Sequence, residues 1–395
     1  MMNSKQEAIV QNTLPLVAEN LSKIIDKFYQ ILLDENPALK NVFNSTNQKT
    51  GLQSKSLANS IAAFAMNYSN LNAIQDMIRQ IAHKHCSIGV TPEQYITVGT
   101  TLLAAIDNIL GDIVTEEIRD AWAAFYWTFA DILIETEREL YFRIPTLNEN
   151  QFKSFKIVNK IAEAVNVFSL YLKSEDSCLH NFKPGQYVSV KVKLGEHEQI
   201  RQYSLSDIQN QEYIRITIKR EENYDSDSIA VSNYIYDNLA IGDTLDVSAP
   251  YGTFVLNSSP SNITFISAGV GITPVMSMLK TLMHNQVQQK INFIYLVENS
   301  DHHIFKQELK NIQGLNLSKF IYYKSPLISD VIDQDYNYAN FDFNDLQKYA
   351  SQDMEYYVCA SDNIINKINM TLTSLGVDKN KIHDETFKPD GWIIN

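Results

Sequence analysis

Glycine is scarce. The chain holds 13 in 395 residues, under half the usual share of about 7%, so each one left marks a place where the backbone has a reason for it. Cysteine is scarcer still. Cys86, Cys178 and Cys359 lie far apart and form no C-x-x-C pair. Neither a zinc site nor a disulfide framework is implied, and a reducing compartment fits best. Positive charge is also short: 33 Lys and Arg against 46 Asp and Glu leave a net charge of −13. That balance repels phosphate backbones and anionic lipid, which argues against nucleic acid or a membrane surface as partner. Long hydrophobic runs are missing too. The richest apolar stretch, Ala121 to Ile134, is too short to span a bilayer and contains Asp131. The N-terminal MMNSKQEAIV lacks the apolar core of a signal peptide. The expectation is a cytoplasmic monomer without a membrane span, divided into two or three domains.

What is present changes period along the chain. Residues 1–143 read as helix: Leu57, Ile61, Phe64 and Tyr68 form one stripe, and Tyr126, Phe129, Leu133, Glu137 and Leu140 a second. Thr91 followed by Pro92 predicts an N-cap and first helical residue. After a linker over 144–152 the period becomes two. Val188, Val190, Val192 and Leu194 alternate with Ser189, Lys191 and Lys193, and Ile214, Ile216 and Ile218 with Arg215, Thr217 and Lys219. Such alternation predicts antiparallel strands with one buried face, over 153–257. From 258 to 395, strand-like runs at Ile263–Ser267, Ile291–Val297, Lys319–Tyr323, Glu355–Cys359 and Lys381–His383 alternate with helical stretches. That pattern predicts a parallel sheet with helices on its faces.

In the helical part, His83 and His85 stand two residues apart, about 200° on a helix, so only one can face the core. His85 shares its face with Ile78 and Ile81, and His83 with Asp76, Arg79 and Gln80. His85 is therefore the inward one, either as a core histidine bonded to a carbonyl or as an axial ligand to haem iron. Glu137 falls on an apolar stripe, where an unpaired carboxylate is costly. Either its helix end reaches solvent or it accepts the second ring nitrogen of the histidine, with Tyr95 completing the support. Gln53 and Tyr29 are polar groups on otherwise apolar faces. Each is either a boundary residue reaching water or a donor aimed at a bound ligand.

Two motifs in the second half bear on cofactors. Pro184-Gly185-Gln186-Tyr187 opens a strand, and Arg201-Gln202-Tyr203-Ser204 follows on the next. A flavin dinucleotide needs a cation at its pyrophosphate, a flat surface against its ring and a small donor near its reactive nitrogen, and Arg201, Tyr203 and Ser204 can supply them. The other reading is a surface strand with a buried tyrosine. Further on, the apolar strand 263–267 runs into Gly269-Val270-Gly271-Ile272-Thr273-Pro274 and then a helix. Two glycines at such a turn let the backbone meet a dinucleotide pyrophosphate at the helix N-terminus, with Thr273 as N-cap and Pro274 as first helical residue. A tight turn without ligand is the alternative.

Taken together, FYQILLDENPALKNVFNSTNQ (28–48), IAHKHCSIGVTPEQY (81–95), the Glu137 helix and the two later motifs resemble the flavohaemoglobins over essentially the whole chain. The resemblance implies an all-α globin domain, then an antiparallel β-barrel FAD domain, then an α/β NAD(P)-binding domain of ferredoxin–NADP reductase type. It implies nitric oxide dioxygenase activity: NAD(P)H reduces FAD, FAD reduces haem, and O2 and NO become nitrate. By the same resemblance His85 is the proximal ligand, supported by Tyr95 and Glu137. Tyr29, Gln53 and Leu57 line the distal pocket, Phe43 packs on the porphyrin, and Lys84 lies near haem and flavin. Arg201 meets the FAD pyrophosphate, while Tyr187, Gln202, Tyr203 and Ser204 contact the flavin and Val231 and Ser232 flank the phosphates. Phe387 stacks on the flavin ring with Glu385 beside it, and Thr386 lies in the nicotinamide pocket. Three segments depart from the family pattern. The stretch EENYDSDSIAVSN (221–233) lacks the usual glycine pair. Cys359-Ala360-Ser361 replaces Cys-Gly-Pro, and Glu385-Thr386-Phe387 replaces Glu-Cys-Phe. A haem-based O2 or NO sensor with an impaired reductase, or a reductase of NO or peroxide, is the alternative these departures leave open.

Overall fold

The computed structural model describes residues 2–36, 52–143, 152–175, 181–195, 197–210, 212–221, 230–257, 261–313, 316–333, 338–339 and 341–387, without the side chains of 52–55, 197, 332, 333, 338 and 339. Phe43, Cys178, residues 144–151 of the expected linker and most of 221–233 lie outside the described residues. The chain divides into two compact units, one built on Met1–Phe152 and the other on Lys153–Val190 and Arg201–Gly391.

The first unit is helical: α1 (Ser4–Glu19), α2 (Leu21–Glu35), α3 (Leu52–Asn67), α4 (Gln75–Ile88), α5 (Pro92–Leu110) and α6 (Glu116–Phe142). Both expected stripes face inward. Ile61, Phe64, Phe129, Leu133 and Leu140 are buried, and the Phe64 and Phe129 rings stack with centroids 4.4 Å apart. Helix α4 ends at Gly89, whose left-handed backbone (φ 78°) turns the chain and bonds its N–H to the His85 carbonyl. Helix α5 then starts where the sequence placed it. Pro92 is its first residue, and the Thr91 N–H donates to Gln94 Oε1 at 3.0 Å. The apolar run that matters for a membrane is not Ala121–Ile134 but Pro92–Ile113, which is long and apolar enough to cross one by length and composition. Here it packs against α2 and α6 and buries Tyr95, Gly99, Leu102, Ala105 and Ile106. Core packing of this kind gives the same hydropathy as a span.

In the second unit, strands β1 (Lys153–Ala164), β2 (Val167–Lys173), β3 (Tyr187–Leu194), β4 (His197–Ser204), β5 (Ile214–Lys219) and β6 (Thr244–Val247) form one sheet in the order β4-β3-β6-β1-β2-β5. A bridge between Leu205 and Ile216 joins the two ends, so the antiparallel sheet closes into a barrel. Helix α7 (Val231–Asn238) lies between β5 and β6 in the chain. The alternation on β5 does not mark a solvent face as its pattern implied. Arg215 is 2% exposed and Thr217 3%. Thr217 bonds the Ser169 and Ser206 hydroxyls, each at 2.8 Å, and Arg215 is enclosed by carboxylates. Polar partners, not water, satisfy that side of the strand.

The rest of this unit is a parallel sheet: β7 (Asn262–Ala268), β8 (Ile291–Val297), β9 (Leu317–Tyr323), β10 (Tyr338–Ala339), β11 (Met354–Cys359) and β12 (Ile382–Glu385), in the order β10-β9-β8-β7-β11-β12. Crossovers carry α8 (Ile272–His284), α9 (Lys306–Asn311), α10 (Ile328–Asp333) and α11 (Asp362–Ser374). The chain works outward from β7 to β10, then crosses back to place β11 on the other flank of β7. The crevice between the ends of β7 and β11 is thus the topological switch point of the sheet, where such folds take ligands. Gly271 sits in it. A Cβ there would stand 2.1 Å from the Cys359 carbonyl oxygen, a backbone atom that cannot step aside.

Gly271→Ala should therefore force α8 away from the end of β11. The expected loss is roughly 1–3 kcal/mol of stability, read as a lowered unfolding midpoint of the second unit.

Candidate functional site

In the helical unit, three elements bring three polar side chains together. His85 comes from the last turn of α4, Tyr95 from the first turn of α5, and Glu137 from the buried face of α6. His85 Nδ1 lies 2.8 Å from Glu137 Oε1 and 2.8 Å from the Tyr95 hydroxyl, and that hydroxyl donates to Glu137 Oε1 at 2.5 Å. Glu137 is 3% exposed, so its helix end has not reached solvent. Burial, and next the charge of Glu137, push the Tyr95 phenol far above its ordinary pKa, which keeps it a donor. A carboxylate oxygen can only accept, so Nδ1 is the ring nitrogen that carries a proton toward Glu137. No hydrogen bond to Nε2 occurs among the described residues. A half-buried imidazole with one nitrogen held by a carboxylate and the other open fits an axial ligand of haem iron.

Sequence reasoning missed what holds this triad. The Tyr126 hydroxyl donates to the Tyr95 carbonyl at 2.7 Å. Its ring occupies the space left by Gly99, where a Cβ would be 2.2 Å from Tyr126 Cε1. A glycine inside a helix, in a glycine-poor chain, was the available signal. Cys86, next to His85, is buried, and its thiol lies 3.8 Å from the Glu137 carbonyl. Burial raises its pKa, so it is a packing group and not a thiolate.

The remaining candidates of this unit are less tightly fixed. Tyr29 is half-buried on α2, and burial pushes its phenol well up. Leu57 packs against the helical core, and Lys84 is exposed on α4. Gln53 lies on α3 one turn before Leu57, with its side chain outside the described residues.

On the barrel, Arg201, Gln202, Tyr203 and Ser204 end strand β4. Burial lowers the Arg201 pKa and raises that of Tyr203, and Glu221 lies within electrostatic reach of both. Glu221 in turn is tied to α7: its N–H donates to Asn233 Oδ1 at 2.9 Å, and Asn233 Nδ2 donates back to its carbonyl at 3.1 Å. That pair, unforeseen from the sequence, brings the start of α7, with buried Val231 and Ser232, to the Arg201 neighbourhood. Gln202 donates to Ser189 at 3.0 Å, and Tyr187 pairs with Tyr251 across the barrel mouth. A partly buried guanidinium, a buried phenol and a helix N-terminus with a serine match the charges and flat surface of FAD.

At the switch point the turn differs from expectation. Gly269–Gly271 form a short 3-10 turn, and α8 begins at Ile272 with Gly271 as its N-cap. Thr273 and Pro274 therefore lie inside the first helical turn, not at its cap and start. The reason is local: the Thr273 hydroxyl donates back to the Val270 carbonyl at 3.0 Å, so the turn begins before the threonine. Tyr295 holds the Gly269 carbonyl at 3.1 Å. A glycine pressed on the neighbouring strand end, with helix amides just beyond, is a cradle for a pyrophosphate. Glu385 pairs in register with Cys359, Thr386 follows, and Phe387 keeps 48% of its surface open at the end of β12.

Tyr95→Phe keeps the ring and removes one donor to the buried carboxylate. Thermal unfolding followed by Trp122 and Trp127 fluorescence should show a loss of about 1.5–3 kcal/mol. Tyr126→Phe should cost about 1 kcal/mol, since only a backbone carbonyl loses its partner.

Comparison with known proteins agrees with this division. Family models match for globin over 26–133, for an oxidoreductase FAD-binding domain over 154–256 and for an oxidoreductase NAD-binding domain over 265–369. The flavohemoprotein of Bacillus subtilis is 37% identical, with 98% of each chain covered. That of Bacillus anthracis is 39% identical, covering 98% of this chain and 99% of its own. Among solved structures, the flavohemoglobin of Malassezia yamatoensis, with bound FAD and heme, is 27% identical with a TM-score of 0.85, covering 98% of this chain and 99% of its own. The FAD/NAD-binding domain of nitric oxide dioxygenase from Vibrio cholerae is 27% identical with a TM-score of 0.54, over 60% of this chain and 99% of its own. With a globin core, a flavin barrel and a dinucleotide-binding sheet in one chain, this protein belongs to the flavohemoproteins.

Proposed function

We propose that the protein is an NAD(P)H-dependent nitric oxide dioxygenase that converts NO and O2 to nitrate. Its cofactors are haem, FAD and NAD(P)H. The observation that carries the reading is the His85–Tyr95–Glu137 triad with Nε2 open, in the same chain as a flavin barrel and a dinucleotide cradle. When bound, haem supplies the centre that takes dioxygen and single electrons, and FAD supplies the step from a two-electron hydride donor to a one-electron acceptor. Nitrate formation from NO and O2 consumes one electron per NO, so one dinucleotide serves two turnovers.

The chain's residues have separate tasks. Glu137 holds the proton on His85 Nδ1 and gives the ring anionic character, which raises the basicity of Nε2. Tyr95, kept protonated by burial, orients the carboxylate. Tyr29 and Gln53 act as donors toward the dioxygen substrate, Leu57 lines the same distal side, and Phe43 packs on the porphyrin. Arg201 and the start of α7, with Val231 and Ser232, hold the FAD phosphates, whereas Tyr187, Gln202, Tyr203 and Ser204 orient its ring. Gly269–Pro274 receive the dinucleotide pyrophosphate. Phe387 stacks on the flavin ring with Glu385 beside it, and Thr386 borders the nicotinamide. The protein works as a cytoplasmic monomer, in domains spanning 1–143, 153–257 and 258–395.

His85→Ala should remove the haem absorbance of the purified protein while anaerobic flavin bleaching by NADH persists. An NO electrode should then record no NADH-dependent NO loss and a nitrate assay no product. If this variant retained its haem, His85 would not be the ligand. Tyr29→Phe should raise the KM for O2 by roughly tenfold or more and leave flavin reduction unchanged.

A further inference from the structure

The barrel and the parallel sheet meet at a closed ring of four charges. Asp207 and Arg215 come from the barrel side, Lys280 from α8 and Glu308 from α9. Lys280 Nζ bonds Asp207 and lies 2.5 Å from Glu308 Oε1. Glu308 Oε2 accepts from Arg215 Nη1 at 2.9 Å, and Arg215 Nε closes the circuit 3.8 Å from Asp207 Oδ2. Arg215 is 2% exposed and Asp207 4%. Arg215 Nε also donates to Ser206 Oγ at 3.1 Å and Nη2 to the Ser206 carbonyl. The guanidinium also stacks over Phe305, its Cζ 4.5 Å from the ring centre. Phe305, buried beside α9, takes a left-handed backbone (φ 59°), a strained state for a non-glycine residue that only fixed surroundings sustain. Beside the ring, the Ser277 hydroxyl of α8 donates to the Asp207 carbonyl at 2.7 Å.

Buried ions are costly to folding unless every one is paired and hydrogen-bonded, and apolar groups of the same size hold two layers together at least as well. What ions add is direction: an apolar seam tolerates sliding, but an alternating ring has one register. This ring lies where register matters. Asp207 is three residues past Ser204 at the end of β4, and Lys280 is two helical turns along α8 from Thr273. It therefore joins the strand assigned to the flavin ring to the helix assigned to the dinucleotide. We propose that Asp207, Arg215, Lys280 and Glu308 are positioning residues that set the approach of nicotinamide to flavin, and so the hydride-transfer rate, without touching either cofactor. This rests on the functional reading above.

The test uses the full chain loaded with haem and FAD. Lys280→Met opens two sides of the ring. Mixing with NADH in an anaerobic stopped-flow instrument should show the limiting rate of flavin reduction reduced by about tenfold or more, with NADH affinity and FAD content unchanged. Lys280→Arg, which can still donate to both carboxylates, should restore the rate. Without dinucleotide, hydrogen–deuterium exchange should quicken in peptides covering 205–208 and 272–284 of Lys280→Met. A wild-type limiting rate in Lys280→Met, or unchanged exchange there, overturns the proposal. An equal fall in rate and NADH affinity would also overturn it, because it would make the ring part of the binding site. Glu308→Gln, at a partly exposed corner, gives the same readouts if Lys280→Met does not fold. Wild-type protein that binds FAD but is not reduced by NADH or NADPH would sink the functional reading instead, and the exchange data alone would then decide for the ring.

Discussion

A carboxylate with 3% of its surface exposed, on the face of a helix otherwise lined by Phe129, Leu133 and Leu140, has to be paired. Glu137 meets that demand with two donors from two other helices, and much of the helical unit is arranged around the need. Gly89 ends α4 just past His85, and the Thr91–Gln94 cap starts α5 so that Tyr95 is presented in its first turn. Gly99 lets the Tyr126 ring pack close to α5. The polar knot is an unfavourable thing to bury and a strongly specifying one, since no shifted packing of the three helices would satisfy all its members.

The reductase half obeys a steric constraint at one point and an electrostatic one at another. Gly271 lies against the Cys359 carbonyl at the end of β11, a spacing that leaves no room for a side chain, and the helix that follows opens beside that strand end. Away from that point the barrel is keyed to the same helix by Lys280 and Ser277. A dinucleotide bound at one end of α8 thus lies on an element whose position is fixed from the barrel side. Contact and charge divide the work: packing sets how near the parts come, and the ring sets their register.

Much of this was readable in the residues. The inward face of His85, the anomaly of Glu137, the glycine turn after an apolar strand and the change of period from helix to alternating strand to alternating units all follow from side-chain geometry. Where the reading failed, the cause was one specific contact, local at Thr273 and distant in sequence elsewhere. Arg215 and Thr217 look like the wet face of β5, yet α9 and the Ser169 and Ser206 hydroxyls cover them. Thr273 looks like a cap, yet its hydroxyl turns back to Val270. Pro92–Ile113 has the hydropathy of a span, yet one face of it packs against α2 and α6.

The residues alone were enough for three kinds of unit, their order along the chain, and the chemical types present in each. These depend on periodicity and on neighbours within a few residues. Packing was needed to fix which nitrogen of His85 is held, that Tyr126 completes the support, that Asn233 ties Glu221 to the start of α7, and that four charges from three parts of the chain close into a ring. The physical reason is common to all four. Each is a polar contact between elements, and pairing of that kind is fixed by how the elements pack, which local pattern does not encode.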